Sequence, residues 1–271
     1  MTTVRLAPRT ALFLPASNPR AIAKARETHA DLVILDLEDA VRDDAKAEAR
    51  AAAVAAANEG FGARLCAIRI NAVDSGEHGE DLDAVAGSAC DFVVLPKVES
   101  AGDAAAIAEA CGKPLLAMIE TPLGVLVAAE IAAVPGVAGL LAGVNDLRAS
   151  LGIPAGAGRE SLSLALQTVV LAARASEIWA FDGVFNALDD PEGLAAECRH
   201  GRALGFDGKS LIHPNQIEVA AEAFGPSATE IAEAEALIAA ATGGAERYRN
   251  RMIETMHVEQ ARALLARIRQ P

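Results

Sequence analysis

The sequence predicts a parallel α/β fold, a TIM (β/α)8 barrel with a C-terminal helical extension, on three observations. Eight short apolar runs, rich in Val, Ile, Leu and Ala, recur at intervals wide enough for a crossover helix. Each run ends in polar or turn-forming residues, so polar groups gather at the same end of every proposed strand. No composition break or low-complexity linker divides residues 1–226, and 271 residues is a length one barrel fills.

Taken in order, the strands fall at residues 11–14 before PASNPR, 32–35 before DLEDA, and 65–70 before NAVDSGEHG. Residues 92–95 precede PKVES, 115–119 precede ETPLG, and 137–142 precede GVNDL. The last two are residues 178–185 before NALDDPEG and 206–212 before HPNQ. The second, LVIL, is the model case: a continuous run rich in β-branched residues reads as a strand buried on both faces. An open doubly wound sheet is the competing arrangement. No GxGxxG follows the first strand, so a dinucleotide fold has little support.

Helical segments fill the gaps. NPRAIAKARETHA has Asn18 as N-cap and Pro19 in its first turn, and DDAKAEARAAAVAAA opens on acids that favour a helix start. SAGDAAAIAEACG runs to Gly112, GVLVAAEIAAVPG stops at Pro135-Gly136, and SLSLALQTVVLAARASE and DPEGLAAECRHGRALG follow. After HPNQIEVAAEAF comes a helix over SATEIAEAEALIAAATGG, a short charged link AERYRNRM, and a last helix over IETMHVEQARALLARIR. Residues 227–271 thus form an extension within the same structural domain, placed to cover the barrel mouth or to meet another subunit.

Hydrophobic residues make up 52% of the chain but aromatics only 3%, so Ala, Val, Leu and Ile are expected to build the core. The net charge of −13 and pI near 4.9 argue against a nucleic-acid or anionic-membrane partner. Cys66, Cys90, Cys111 and Cys198 form no CxxC pair and read as reduced core residues of a cytoplasmic protein. The opening MTTVRLAPRTALFLP lacks a signal-peptide pattern, and no apolar window is long enough to span a bilayer.

The strand tips hold the candidate chemistry: Ser17/Asn18, Asp36/Glu38/Asp39, Arg69/Asn71, Lys97/Glu99, Glu120, Asn145/Asp146, Asn186/Asp189/Asp190 and His213. Glu120 and Asp146 end adjacent strands in oxygen-rich surroundings, a donor set that suits Mg²⁺ completed by water and substrate; each can otherwise cap a βα turn. Arg69 near a buried strand end needs an anionic or carbonyl partner. Either it salt-bridges Asp36, Glu38 or Asp39, or it holds a substrate carboxylate or enolate. Lys97 is similarly placed, and a Schiff-base role for it is redundant beside a metal pair. His213 can orient a neighbouring group. Arg20 and Lys24, one turn apart on the first helix, are candidates for binding an anion.

Read together, LFLPASNPRAIAKA, ADLVILDLEDAV, IRIN, VVLPKVES, AMIET, GVNDL, DGVFNALDDPEGLAAECRHGRALGFDGKSLIHPNQI and AFGPS resemble the citrate lyase β-subunit-like branch of the HpcH/HpaI aldolase family. RMIETMHVEQARALL resembles that family's tail. The resemblance implies a TIM barrel that is commonly trimeric, Mg²⁺ as cofactor, and cleavage or formation of carbon–carbon bonds in hydroxy-acid thioesters such as malyl-, methylmalyl-, citramalyl- or citryl-CoA. By position it implies Glu120 and Asp146 as metal ligands and Arg69 as the holder of thioester or oxo-acid oxygens. Glu38 and Asp39 become the acids beside metal and substrate, and Arg20 with Lys24 the region receiving CoA phosphates. One departure stands out. The family's CoA-dependent lyases carry an aspartate in a C-terminal DGKM-like segment, where this chain reads RNRM with Arg249. That departure leaves room for a citrate-lyase-like subunit acting on an acyl-carrier-protein thioester, a class II aldolase for free 2-oxo acids, or a non-catalytic assembly component.

Overall fold

The apolar runs fold into a closed barrel of eight parallel strands, in a computed structural model that describes residues 6–269. The chain runs β1 (Thr10–Pro15), α1 (Pro19–Ala25), β2 (Leu32–Asp36), α2 (Lys46–Glu59), β3 (Leu65–Arg69), α3 (His78–Ala86) and β4 (Phe92–Leu95). It continues through α4 (Ala101–Cys111), β5 (Leu115–Ile119), α5 (Pro122–Leu126), α6 (Ala128–Ala132), β6 (Val137–Ala142), α7 (Val144–Ser150) and α8 (Ser163–Ala175). The barrel ends with β7 (Trp179–Asp182), α9 (Pro191–Leu204), β8 (Gly208–Leu211) and α10 (Ile217–Phe224). Beyond it lie α11 (Ala228–Ala240), the antiparallel pair β9 (Glu246–Tyr248) and β10 (Arg251–Ile253), and α12 (Thr255–Ala266). Among the described residues no helix is long and apolar enough to cross a membrane.

Strand order follows chain order, and β8 closes on β1 with Ala11 opposite Ser210 and Leu12 opposite Leu211. Alternate residues face opposite sides of the wall. Ile34, Ala67, Val94, Leu116, Leu141 and Phe181 fill the lumen, while Val33, Leu35, Ile68 and Leu95 join the larger core beneath the helices. Burial on both faces is why these strands read as continuous apolar runs. The expected aliphatic core needs one correction. Phe92, Trp179 and Phe181 plug the lumen near its foot, with centroids 5.3 Å and 6.2 Å apart.

Caps set the helix entries. Asn18 Oδ1 accepts from the amides of Arg20 and Ala21, Ser100 caps α4, and Asp190 Oδ1 accepts from the Gly193 amide. Two helices were not read from the sequence, α3 and α7, and the segment read as one helix breaks at Val127 into α5 and α6. The charged link AERYRNRM contains β9 and the start of β10, with Arg249 in a left-handed turn (φ 52°) between them.

The extension also sits elsewhere than the mouth. Arg267 donates to the Asp207 carbonyl (2.7 Å), and the Arg267 carbonyl accepts from Arg9. Both partners precede strands, so this end of the chain is fastened to the barrel foot. Ala234, Leu237, Tyr248, Ile253 and Ala261 make a separate small core there. Arg249 pairs with Glu233 of α11 (2.6 Å), away from the strand tips.

The four cysteines are free and buried, and burial pushes the Cys66 thiol up to about 12. At the closing seam, a Cβ on Gly208 would lie 2.3 Å from the Pro8 carbonyl oxygen and 2.6 Å from that of Arg9. Backbone on both sides cannot yield cheaply. Gly208→Ala is therefore expected to destabilise the barrel by about 1–3 kcal/mol or more, read by urea unfolding; an unchanged midpoint would mean that the seam tolerates a side chain.

Candidate active site

The strand register brings an acid and a base face to face. Asp36, the last residue of β2, pairs directly with Arg69, the last residue of β3. Both are buried, and the guanidinium forks onto the carboxylate: Arg69 Nε to Oδ1 at 2.7 Å and Nη2 to Oδ2 at 2.6 Å. Burial opposes the arginine charge, but the Asp36 hydrogen bonds and the charges of Asp36, Glu38 and Asp39 raise its pKa above the ordinary value. Phe13 lies under the guanidinium (5.3 Å) and Met118 Sδ beside Nη1 (3.9 Å). Only Nη1 is directed away from the fork, meeting Glu38 at 2.8 Å and Asp39 at 3.5 Å.

Asp36 also orders the turn that follows it. Its Oδ1 accepts from the Glu38 amide (2.9 Å) and its Oδ2 from the Ala40 amide (3.2 Å). Lys46, buried, then donates to the carbonyls of Leu37 (2.7 Å) and Glu38 (2.8 Å) and to Asn71 Oδ1 (2.7 Å). Asn71 is tied to Asp81, and Asp81 to Arg50. The tips of β2 and β3 are thus clamped from behind by groups that do not line the cavity.

Glu38 and Asp39 are placed differently. Glu38 is buried and engaged by Arg69 and by Lys97 Nζ (2.7 Å); burial nonetheless raises its pKa against both cations. Asp39 is largely exposed and lines the cavity. Lys97 has a left-handed backbone (φ 51°), which turns its amide onto Glu120 Oε1 (2.8 Å). One residue therefore touches two of the acids, through its side chain and its main chain.

Glu120 closes β5 and is 1% exposed. Burial, then the charge of Glu38, with a contribution from Asp146, lifts its carboxyl up to about 8. The carboxylate fits because residue 143 has no side chain: a Cβ there would meet Glu120 Cβ and Oε2, each at 2.3 Å. Asp146, in the first turn of α7, lines the same cavity. The cavity measures about 470 Å³ and opens at the C-terminal ends of the strands, walled also by Phe13, Val184, Ser210 and Ile212.

Whether this site suits Mg²⁺ can be judged from its donors. Glu120 and Asp146 supply hard oxygens, and Glu120 is a buried acid repelled by its acidic neighbours, a charge that a cation relieves. Among the described residues no three His, Cys, Asp or Glu side chains form a complete metal cluster. Mg²⁺ binds through one or two carboxylates, water and substrate oxygens, so two ligands are adequate.

Of the strand-tip residues, the cavity collects Asp36, Asp39, Arg69, Glu120, Asn145 and Asp146. Others are structural: Asn18 and Asp190 cap helices, and His213 Nδ1 accepts from the Asn215 amide. Arg20 and Lys24 are exposed on α1 and do not line the cavity. Sequence reasoning missed Lys46, Gly143 and Ser210, and left Lys97 without its bond to Glu38. GVNDL carried a signal for Gly143, a glycine at a strand exit next to a candidate ligand.

Asp36→Ala strands Arg69 without its fork and should cost about 3 kcal/mol in denaturant unfolding. The double variant Asp36→Leu/Arg69→Met should regain part of that stability, since it removes the stranded charge but still leaves the Glu38 and Ala40 amides without their acceptor; no recovery at all would mean that the charge pair is not the main cost. Gly143→Ala should weaken Mg²⁺ binding about 10-fold or more by calorimetry while the fold persists. Wild-type affinity would show that Glu120 does not need that space.

The family model for HpcH/HpaI aldolase/citrate lyase matches residues 9–214. The (3S)-malyl-CoA thioesterase of Cereibacter sphaeroides is 43% identical over 268 residues, covering 96% of this chain and 94% of that protein. A citrate lyase subunit beta-like protein of Mycobacterium tuberculosis is 38% identical over 263 residues, covering 94% of each. The crystal structure of CitE from the same organism, in complex with magnesium, acetoacetate and coenzyme A, superposes with a TM-score of 0.86 at 36% identity, over 97% of this chain and 99% of that one. The eight-stranded barrel, the mouth built from DLEDA, RIN, IET and NDL, and these matches agree: the chain belongs to the HpcH/HpaI aldolase/citrate lyase family.

Proposed function

We propose that this chain is a Mg²⁺-dependent carbon–carbon lyase of 3-hydroxyacyl-CoA thioesters, of which malyl-CoA is the model substrate. One observation carries the reading: Glu120, Asp146 and Arg69, whose Nη1 lies outside the fork to Asp36, share one cavity at the catalytic end of a TIM barrel. The related CitE structure with magnesium, acetoacetate and coenzyme A supports it, because the same ligand classes suit these residues.

Glu120 and Asp146 would hold the metal, which would supply Lewis acidity to a hydroxyl bound beside them. The chain's own groups then account for the rest. The hydroxyl proton passes to a carboxylate, and Asp39 is the acid that faces the cavity with room to accept it. The carbinol carbon becomes the carbonyl of a 2-oxo acid as its bond to the thioester α-carbon breaks. The electron pair moves onto the thioester as an enolate, whose oxygen Arg69 Nη1 stabilises. Return of the proton held by Asp39 to the α-carbon gives the acyl-CoA, so protons and electrons balance and no redox partner is needed. Glu38 acts as a positioning residue, fixing Nη1 and Lys97. Arg20 and Lys24, exposed beyond β1, receive the CoA phosphates, and identical chains assemble into an oligomer.

A second reading is hydrolysis of the same thioester, favoured by the malyl-CoA thioesterase at 43% identity. There water attacks the thioester carbonyl, the carbon–sulfur bond breaks and CoA thiol leaves.

A panel of malyl-, methylmalyl-, citramalyl- and citryl-thioesters on CoA or on a carrier protein tests the proposal. Cleavage should require Mg²⁺ and stop with EDTA. Glu120→Ala and Asp146→Ala should each abolish it without unfolding the chain. Arg69→Lys should lose about 100-fold or more in kcat, because a point charge does not reproduce the forked guanidinium. Full activity of either carboxylate variant would remove the metal assignment.

A further inference from the structure

Ser210 is a polar residue that the free protein leaves unsatisfied. It lies in β8, is 3% exposed, and lines the active-site cavity. Its hydroxyl has no hydrogen-bond partner among the described residues. Its chain neighbour Lys209 faces the other side of the wall, where Asp182, Glu197 and the Gly183 carbonyl satisfy it. A buried hydroxyl without a partner is costly, so its persistence here points to a partner supplied from the cavity.

The nature of that partner follows from depth and from what surrounds the hydroxyl. Ile212, on the same face two residues later, is partly exposed at the mouth, so Ser210 lies one pleat deeper. A cavity of about 470 Å³ holds the small acyl end of a thioester, while the nucleotide end stays outside. Phe13, Met118 and Val184 make much of the remaining wall apolar. The cations near the cavity already have acids: Asp36 and Glu38 on Arg69, Glu38 on Lys97. A neutral donor facing this space is suited to an oxygen of a bound carboxylate or carbonyl.

We infer that Ser210 is a specificity-determining residue whose hydroxyl donates to an oxygen of the oxo-acid half of the substrate. The inference rests on the lyase reading above, which places a 2-oxo acid in the cavity. It distinguishes Ser210 from the braces around it: Lys46 and Asp36 bond to protein in the free state, whereas Ser210 bonds only when ligand is present.

That difference defines the test. Ser210→Ala removes no bond from the free protein, so its melting temperature should equal or slightly exceed the wild-type value. Calorimetric titration with glyoxylate and with pyruvate, each in Mg²⁺, should show the dissociation constant raised about 10- to 100-fold, the range for one hydrogen bond to a charged group. Affinity for CoA alone should be unchanged, and kcat/KM for thioester cleavage should fall by the same factor as oxo-acid binding. Ser210→Cys, similar in size with a weaker donor, should fall between. Wild-type oxo-acid affinity in Ser210→Ala overturns the inference alone, and so does a lowered melting temperature with unchanged affinity. A wild-type protein that binds neither oxo acid in Mg²⁺ overturns the lyase reading and this inference together.

Discussion

The mouth of this barrel is organised by the forked ion pair between Asp36 and Arg69. A buried pair of this kind contributes little net stability, since desolvating two charges offsets most of their attraction. Its value is geometric. Two of the three guanidinium nitrogens are committed to Asp36, which directs Nη1 into the space beside Glu38 and Asp39. The same carboxylate accepts the amides of Glu38 and Ala40, so one side chain fixes both the cation and the turn presenting the acids. Had β2 and β3 paired one residue out of register, each of these groups would face the helices instead.

Charge balance at the mouth explains the rest of the site. Glu38 is balanced by Arg69 and Lys97, but Glu120 is buried against acids and, among the described residues, accepts a hydrogen bond from the Lys97 amide alone. A cation held by Glu120 and Asp146, as proposed, would complete an arrangement that the protein leaves electrostatically open. Gly143 makes that possible by leaving space for the carboxylate. The chain's net charge of −13 did not preclude an anionic substrate, because local cations and a metal decide the field inside the cavity.

The barrel was legible because strands buried on both faces announce themselves as unbroken apolar runs, and because polar tips recurred at one end of each. The acids of DLEDA, Arg69, Glu120 and Asp146 were legible for the same reason. What escaped depended on three-dimensional closeness that spacing does not encode. Lys46 reaches carbonyls eight and nine residues back. Lys97 uses a left-handed backbone that its side chain does not advertise. Caps and ligands share residue types, so Asp190 and His213 stood among the strand-tip candidates until their bonds to nearby amides were seen, whereas Asn18 was already legible as an N-cap. For the extension, nothing in its local pattern says which end of a barrel it meets; Arg267 and Arg9 decide that at the foot, against a place over this chain's own mouth.

Which bond of the thioester breaks decides the chemistry of this site. With malyl-CoA, enzyme in excess and Mg²⁺ present, a single turnover quenched in acid and resolved by chromatography separates the two chemistries. Carbon–carbon cleavage predicts acetyl-CoA and glyoxylate in equal amounts, with free CoA appearing no faster than in the absence of protein. Free CoA and malate in equal amounts, with no acetyl-CoA at any time point, would contradict it.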